Sequence, residues 1–547
     1  MPAVLSAAAY TGHRDLFARN NLPPVSEQPE FLFDLPELQF PERLNCATEL
    51  LDKAVNERGW GERLAIRSPT GNLSYRELLV LSNRIAHVLV ADMALIPGNR
   101  VLLRGFNNPM LAACWFAVIK AGGIAVTTMP LLRAQELVDI VSKAEISHAL
   151  CDARLIEASE SARSRCSTLS FIRTFCGDGS RADAVEPLLA SKPTEFDNVD
   201  TARDDTCIIA FTSGTTGKPK GTMHFHRDVM AICNSFPRST LRANADDMFC
   251  GTPPLGFTFG LGGLLLFPLH IGASTVLVEK LNPETLLQTV ADYRCTVMFT
   301  APTFYRMMAP QAERFDIACL RKCVSAGESL PVPTRERWQE ATGIRIIDGI
   351  GATELLHIFI SADEEHTRAG ATGKPIPGYR ACIMDCDGNP LPAGKIGCLA
   401  IKGPTGCRYL ADPRQLDYVK NGWNLTGDAY LIDADGYFVY QARTDDMIIS
   451  AGYNIGGPEV EDTLLGHPAV LEVAVVGVAD EERGQVVKAF VVLRSGEPGD
   501  AAMVTALQEF VKQHIAPYKY PRQIAFCEQL PRTETGKLQR YKLREGT

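Results

Sequence analysis

What the sequence lacks narrows the classes of protein it can encode. None of its 16 cysteines forms a C-x-x-C pair, so the paired ligands of a zinc site are missing and we expect buried free thiols in a reducing compartment. The net charge of −9 argues against a nucleic-acid partner, because binding a polyanion requires a basic face. No basic residue precedes the first apolar run, so we predict no signal peptide and a cytoplasmic location.

A membrane-spanning helix is not predicted either. Residues 249–278 contain no Asp, Glu, Lys or Arg, but six glycines and three prolines interrupt the run. A spanning helix needs about 20 consecutive apolar residues, so we expect a buried strand, loop and helix within a globular core. The chain has 547 residues, 46% of them hydrophobic, which favours several domains over one.

Alternating strand and helix patterns predict parallel sheets in the first part of the chain. RVLLRG (100–105) has the pattern of a buried strand, LAACWFAVIKAGG (111–123) that of a helix ending in glycine, and IAVTT (124–128) that of the next strand. Strand–helix–strand units of this kind form parallel sheets. A capping box at Ser74 and Glu77 predicts the start of another helix. Further buried strands are predicted at 206–211, 274–279 and 296–302.

The pattern changes after about residue 380. Short strands separated by Gly and Pro indicate a small β-rich subdomain, and the end of the chain has the strands and helix of a separate compact unit. The predicted fold is α/β. It has a large N-terminal domain of two α/β subdomains plus the β-rich subdomain over residues 1–444, and a small mobile α+β C-terminal domain over residues 445–547.

The stretch FTSGTTGKPKGT (211–222) has the composition of an anion-binding loop. Five hydroxyl side chains, three glycines and two lysines fall within twelve residues. The stretch is not a G-x-x-x-x-G-K-[ST] phosphate loop, because only two residues separate Gly214 from Gly217 and Pro219 follows Lys218. Backbone N–H groups, hydroxyl donors and a lysine charge nevertheless suit phosphate.

Several further stretches join this loop in carrying a resemblance to a known family. They are AGES (326–329), GIGATE (349–354), TGD (426–428), ARTDDMIISAGYNIGGPEVE (442–461) and PRTETGKLQR (531–540). Each alone is a common pattern, but in this order they resemble the motifs of the adenylate-forming superfamily of acyl- and aryl-CoA ligases, adenylation domains and luciferases. The resemblance implies that the anion is the triphosphate of ATP. A carboxylate would be activated as an acyl-adenylate, from which a thiol then displaces AMP.

The resemblance also implies which residues bind ATP. Asp428 would accept hydrogen bonds from the ribose hydroxyls, and Arg443 would also contact the ribose. Ile350 stands where the superfamily usually has an aromatic residue, which alters adenine stacking. The implied ATP-binding residues are Thr212, Ser213, Gly214, Thr215, Thr216, Lys220, Gly327, Glu328, Ser329, Asp348, Gly349, Ile350, Gly351, Asp428 and Arg443.

Catalytic and hinge roles follow from the same resemblance. Thr353 is implied to contact phosphate and Glu354 to bind Mg²⁺, a hard cation usually held by one or two carboxylates and substrate phosphates. Lys537 is implied to be the catalytic lysine between the substrate carboxylate and the α-phosphate, a task that suits a compact, flexible charge. Asp445 is implied to be the hinge pivot, and Gly452 to lie on the path of CoA.

The predicted acyl pocket resembles that of the benzoate-CoA ligase branch. This likeness rests on PPLGFTFGLGG (253–263) and DGIGATELLHIFIS (348–361). Phenylalanines and glycines shape a flat slot that suits an aromatic acid. His357 has two interpretations: a polar group that faces a ring substituent or the carboxylate, or a buried core histidine. The implied pocket residues are Phe257, Thr258, Phe259, Ala326, Gly351, His357 and Ile358.

The resulting prediction is an ATP-dependent aryl-CoA ligase that uses Mg²⁺ and coenzyme A and releases AMP and pyrophosphate. The resemblance favours 2-aminobenzoate or benzoate as the acid, and the Thr258 hydroxyl can bond an ortho substituent. One alternative is a stand-alone aryl-acid adenylation enzyme that loads a carrier protein, although no carrier sequence follows Arg540. A luciferase-like oxygenase and a non-catalytic nucleotide-binding relative are further alternatives. No nucleic-acid or membrane partner is predicted, and the choice between monomer and homodimer stays open.

Overall fold

The computed structural model describes residues 10–212, 218–385, 387–451, 453–532 and 538–545. Four β-sheets organise this part of the chain. Two are mainly parallel, one is antiparallel and one is mixed, and helices pack between and around them. This arrangement confirms the predicted α/β class with a β-rich subdomain and an α+β C-terminal unit.

The first sheet contains the strand–helix–strand unit predicted from residues 100–128. Helix Pro109–Lys120 connects Arg100–Arg104 to its parallel neighbour Ile124–Thr128. The last strand of this sheet runs antiparallel to the one before it. Of the residues that connect these two strands, 213–217 lie outside the described part of the chain. In spatial order the six strands are Phe171–Phe175, His148–Asp152, Arg100–Arg104, Ile124–Thr128, Thr206–Thr212 and Lys220–Phe225.

The second sheet has nine strands, parallel in the middle and antiparallel at both edges. The strand predicted over 274–279 ends at Val276, because Val276 pairs with Arg67, the last residue of the neighbouring strand. In spatial order the strands are Lys374–Pro375, Ile358–Ser361, Ile346–Gly351, Lys322–Ser325, Val297–Thr300, Met248–Gly251, Ser274–Val276, Leu64–Arg67 and Leu73–Ser74.

The third and fourth sheets divide the rest of the chain. The third is the β-rich subdomain, and its strands are Arg380–Met384, Gly397–Lys402, Val419–Lys420, Trp423–Ile432 and Phe438–Arg443. The fourth begins five residues after the third ends. Its strands are Ile448–Ser450, Tyr453–Ile455, Val470–Asp480, Gly484–Leu493 and Gln523–Phe526.

Helices cover the parallel sheets and pack on the fourth sheet. The helix Tyr75–His87 begins with the predicted capping box, in which Ser74 accepts from the Glu77 amide and Glu77 accepts from the Ser74 amide. The other α-helices of nine or more residues are Pro109–Lys120, Ala134–Lys143, Ile156–Arg165, His226–Asn234, Pro283–Tyr293, Val332–Thr342, Gly457–Leu465 and Ala501–His514. The shorter α-helices are Phe17–Asn20, Lys53–Asn56, Glu186–Leu189, Phe236–Ser239, Thr258–Leu261, Phe267–His270, Pro302–Met308, Gln415–Tyr418 and Arg540–Glu545.

The uncharged run 249–278 is buried, as predicted. It contains the end of one strand, helical turns over Thr258–His270 and the strand Ser274–Val276. None of the described helices is long and apolar enough to cross a bilayer. The cysteines among the described residues are free thiols, most of them buried.

Candidate functional site

The two strands around the anion loop place its flanking residues side by side. Thr212 ends one strand and pairs with Lys220 at the start of the next. The loop residues Ser213, Gly214, Thr215 and Thr216 lie outside the described part of the chain, as do Gly452 and Lys537. The described flanking residues therefore lie at the carboxyl end of one strand and at the start of its antiparallel neighbour.

A tyrosine that the sequence did not single out connects two predicted site residues. The hydroxyl of Tyr409 donates to Glu354 Oε1 at 2.6 Å and accepts from Lys220 Nζ at 3.0 Å. Glu354 is 8% exposed and Tyr409 1% exposed. A buried carboxylate, a phenol and an ammonium thus form one hydrogen-bonded chain beside the anion loop.

A buried polar network supports Thr353, the neighbour of Glu354. His224 Nε2 donates to the Thr353 carbonyl at 2.8 Å. Burial lowers the pKa of His224 to about 4, so the imidazole is neutral at physiological pH. Behind it, Arg408 Nη1 and Asp228 Oδ2 form a fully buried ion pair at 2.7 Å. The turn Thr353–Leu355 is therefore tied to the strand that carries Lys220.

The residues predicted to contact the ribose lie on adjacent antiparallel strands. Arg443 Nη1 donates to Asp428 Oδ1 at 3.1 Å, and the two residues are directly paired. Burial raises the pKa of Asp428, and the nearby Arg443 opposes that rise. Asp445 is half exposed, with Oδ1 at 3.6 Å from Arg443 Nε. The structure therefore groups both ribose candidates with the hinge candidate.

The segments predicted to surround the adenine lie at the ends of two parallel strands. Ala326 follows the strand Lys322–Ser325, and Gly327 has φ +90, a conformation that favours glycine. Burial raises the pKa of Asp348 to about 6, with Arg335 opposing the rise. The structure places Glu328 and Ser329 after Gly327, half-buried and exposed respectively, and Gly349, Ile350 and Gly351 at the end of the strand Ile346–Gly351.

The acyl-pocket prediction converges on His357, which is 3% exposed. Its ring lies 5.7 Å from the ring of Phe259 and 4.5 Å from that of Phe267, and the rings of Phe236 and Phe299 lie at 5.9 and 6.5 Å. Burial lowers the pKa of His357 to about 3. Neither ring nitrogen has a hydrogen-bond partner of normal geometry among the described residues. The structure therefore shows a buried histidine among aromatic side chains, and both interpretations of its role stay predictions.

Glycine at two positions allows this packing. A Cβ on Gly351 would lie 2.9 Å from the His357 backbone, and one on Gly262 would lie 2.4 Å from the imidazole. Ile358 is buried on the strand beside Gly351, with which it pairs. The structure thus brings Phe259, Gly351, His357 and Ile358 together, with Ala326 in the same apolar cluster and Phe257 packed against it. Thr258 is buried at the start of a short helix.

A second cluster of polar groups lies near the start of the strand Thr206–Thr212 and the end of its partner Lys220–Phe225, away from Thr212 and Lys220. Cys46, Cys207 and His226 are buried, with possible ligand atoms within 4.8 Å of one another. Because these three residues are far apart in the sequence, no sequence motif indicates that they lie close together. His226 Nδ1 accepts the Cys46 amide at 3.1 Å and lies 3.3 Å from Cys46 Sγ. The nitrogen that faces the thiols is therefore already hydrogen-bonded, as in an ordinary polar core.

The C-terminal unit contacts the N-terminal part through an ion-pair group. Arg306 on the helix Pro302–Met308 lies 2.9 Å from Glu472 of the fourth sheet. The other carboxylate oxygen of Glu472 lies 2.9 Å from Arg532. Arg532 comes five residues before Lys537 in the sequence, so this contact is near the end of the chain that carries the predicted catalytic lysine.

Two models of known protein families match this chain. The model of the AMP-binding enzyme family matches residues 52–409, and that of the AMP-binding enzyme C-terminal domain matches residues 459–537. The chain belongs to the AMP-binding enzyme family. This membership confirms the resemblance found in the sequence and the expectation of an AMP-forming acid–CoA ligase.

Relatives of this AMP-binding enzyme include ligases named for aromatic acids. It is 35% identical to the benzoate–CoA ligase of Thauera aromatica over 517 residues, 93% of this chain and 98% of the relative. Its fold matches the anthranilate CoA ligase AuaEII in complex with anthranoyl-AMP with TM-score 0.88 and 31% identity, covering 94% of this chain and 99% of the other. It matches a benzoate CoA ligase of Burkholderia xenovorans LB400 with TM-score 0.83 and 31% identity, covering 92% and 100%.

Proposed function

We propose that this AMP-forming acid–CoA ligase activates an aromatic carboxylate, 2-aminobenzoate or benzoate, and transfers the aryl group to CoA. The observation that carries the proposal is the aromatic enclosure of His357, which lies between the turn Thr353–Leu355 and the strand Ile358–Ser361. Aromatic side chains around one polar group suit a flat acid whose ring carries at most small substituents. The similarity to ligases named for benzoate and anthranilate supports the same class of substrate.

In the first half-reaction, the acid carboxylate attacks the α-phosphorus of ATP, and pyrophosphate leaves. Two anions must approach each other, so fixed cations and hydrogen-bond donors are needed to stabilise the developing charge. We assign the triphosphate to Thr212, the loop residues 213–216 and Lys220, and the reacting oxygens to Lys537. A Lys537→Ala enzyme that formed adenylate at the normal rate would contradict the last assignment.

The nucleoside would lie across the ends of the adjacent strands. Asp428 and Arg443 would meet the ribose, and the segments Gly327–Ser329 and Asp348–Gly351 would enclose the adenine. Arg443 Nη1 donates to Asp428 Oδ1 at 3.1 Å, which orients the carboxylate. A side chain held in this way loses less freedom when a ligand binds.

Mg²⁺ fits the donor set that the structure offers at Glu354. The carboxylate is a hard oxygen ligand, and its Oε1 is already held by Tyr409, while one carboxylate plus substrate phosphates is the usual protein site for this ion. When bound, Mg²⁺ supplies positive charge that neutralises the phosphate oxygens. We therefore assign Glu354 as its protein ligand and Thr353 as a phosphate contact.

In the second half-reaction, CoA sulfur attacks the aryl-adenylate carbonyl and AMP leaves. We propose a boundary between residues 444 and 445, with Asp445 as the pivot of a mobile C-terminal domain. The third sheet ends at Arg443 and the fourth begins at Ile448, so few residues connect them. Rotation here would remove Lys537 from the site and bring the segment around Gly452 to the path of CoA.

The experiment is a substrate panel with the full chain, ATP and Mg²⁺. AMP release is measured with benzoate, 2-aminobenzoate, 2-hydroxybenzoate, hexanoate and phenylalanine, each with and without CoA. The proposal predicts CoA-dependent turnover that is highest for benzoate or 2-aminobenzoate. Preference for hexanoate or phenylalanine would overturn the aryl assignment, and pyrophosphate exchange without CoA-dependent turnover would point to a carrier protein as acceptor.

A further inference from the structure

Tyr409 lies between the two charged groups that the proposed function places at the triphosphate. Its hydroxyl donates to Glu354 Oε1 at 2.6 Å and accepts from Lys220 Nζ at 3.0 Å. The ammonium also lies 5.0 Å from the centre of the tyrosine ring. The phenol therefore uses its donor on the carboxylate and its acceptor on the cation.

The position of this phenol is set by the strand that carries Lys220. The backbone around Tyr409 is hydrogen-bonded to that strand on both sides, through Met223 N to Arg408 O and through Leu410 N to Gly221 O, both at 2.8 Å. The Tyr409 amide donates to Gln415 Oε1 at 2.9 Å. With the side chain 1% exposed, the ring has little freedom to turn.

The direction of the hydrogen bond to Glu354 is also fixed. A phenol can donate through its O–H, whereas a carboxylate oxygen only accepts and an ammonium only donates. The phenol oxygen therefore accepts from Lys220, and its O–H lies on Glu354 Oε1. The carboxylate thus has one oxygen occupied.

We propose that Tyr409 is a positioning residue that holds the Glu354 carboxylate for Mg²⁺ and sets Lys220 beside it. This inference rests on the proposed function, in which Glu354 binds the metal and Lys220 the triphosphate. The phenol occupies Oε1 of Glu354, and we assign the other carboxylate oxygen, Oε2, to the metal. Groups that orient a metal ligand change metal affinity or activity by about 10- to 100-fold when removed.

The test is Tyr409→Phe, which removes only the hydroxyl. Mn²⁺, a paramagnetic substitute for Mg²⁺, is titrated into the full chain with a non-hydrolysable ATP analogue, and free Mn²⁺ is read by electron paramagnetic resonance. We expect the dissociation constant for Mn²⁺ to rise by about tenfold or more. Tyr75→Phe is the matched control, because Tyr75 is also fully buried and its hydroxyl donates to a backbone carbonyl, Ala273 O at 2.7 Å, in the core.

A double-mutant cycle keeps the inference testable if Tyr409→Phe also lowers stability. If Tyr409 acts through Glu354, then Tyr409→Phe combined with Glu354→Gln will bind Mn²⁺ no more weakly than Glu354→Gln alone. The inference would be overturned if the dissociation constant for Mn²⁺ in the double variant rose by the product of the two single rises. An unchanged Mn²⁺ affinity in Tyr409→Phe would also overturn it. A wild-type chain that binds Mn²⁺ with the nucleotide but turns over no acid would instead contradict the proposed function.

Discussion

Arg443 Nη1 donates to Asp428 Oδ1 at 3.1 Å across two paired antiparallel strands. Asp428 is the more buried partner, with 14% of its side chain exposed against 41% for Arg443. Burial raises the pKa of Asp428, and the Arg443 guanidinium opposes that rise, which favours the ionised carboxylate that accepts hydrogen bonds from hydroxyl groups.

Asp428→Asn should weaken nucleotide binding. The amide cannot accept charge-assisted hydrogen bonds, which are worth about 1.5–3 kcal/mol, so the dissociation constant of a non-hydrolysable ATP analogue should rise by about 10- to 100-fold. Calorimetric titration measures it directly. The control is Asp417→Asn at an exposed position, and equal affinities for the two variants would contradict a ribose role for Asp428.

Asp445→Pro should separate the two half-reactions. Proline restricts the backbone at the proposed pivot, so thioester formation from preformed aryl-adenylate should slow on the order of tenfold while pyrophosphate exchange stays near the wild-type rate. Asp445→Ala is the matched control, since it removes the 3.6 Å contact with Arg443 but leaves the backbone free. An equal loss of both half-reactions in the proline variant would argue against a hinge.

Thr258→Val should change which aryl acid is preferred. Valine has nearly the same shape but no hydroxyl, so turnover of 2-aminobenzoate relative to benzoate should fall by about tenfold. The ratio of the kcat/KM values is the readout. Thr275→Val is the control, because Thr275 is another buried threonine and its Oγ1 has no hydrogen-bond partner among the described residues. An unchanged ratio in Thr258→Val would remove Thr258 from the acyl pocket.

The stability of the fold should fall as the pH falls below about 6.5. Burial lowers the pKa of His13, His224 and His270 to about 4, whereas unfolded histidine titrates near 6.5, so the unfolded state binds more protons in this window. The stability that these neutral histidines contribute is fully present above pH 6.5, the pKa of histidine in the unfolded chain, and is lost as the pH falls towards 4.

His270→Gln should make the acid-induced fall in the free energy of unfolding smaller, because one of the histidines that take up a proton on unfolding is removed. His270 lies outside the proposed site, with Nε2 at 3.0 Å from Asn234 Oδ1. Between pH 7.5 and 5, urea unfolding should show a decrease in the free energy of unfolding that is about 1–2 kcal/mol smaller in the variant than in the wild type. Parallel pH profiles for the two proteins would contradict the lowered pKa.

Local pattern was sufficient for much of the fold. The capping box at Ser74, the strand–helix–strand unit over residues 100–128 and the change to short strands after residue 380 all reflect short-range spacing. The strand from Ser274 is shorter than predicted because its neighbour ends first. The hydrophobic pattern of one strand does not show how long the neighbouring strand is, so it cannot predict where their pairing ends.

The least predictable parts of the site depend on contacts between residues that are far apart in the sequence. Tyr409 lies in RYLADP, which has no spacing that suggests a role, and only pairing with the strand Lys220–Phe225 brings it to Glu354. The aromatic rings around His357 come from three separate segments. Because tertiary packing assembles these groups, the motifs predicted Glu354, His357 and Phe259 as site residues but not Tyr409, Phe236, Phe267 or Phe299.

The most direct test of the central claim is to identify the product. The full chain is incubated with ATP, Mg²⁺, CoA and 2-aminobenzoate or benzoate, and the mixture is analysed by mass spectrometry with AMP quantified alongside. We expect an aryl-CoA thioester formed in equal amounts with AMP and pyrophosphate. ADP and phosphate as products, or AMP formed with neither aryl acid giving a thioester, would contradict it.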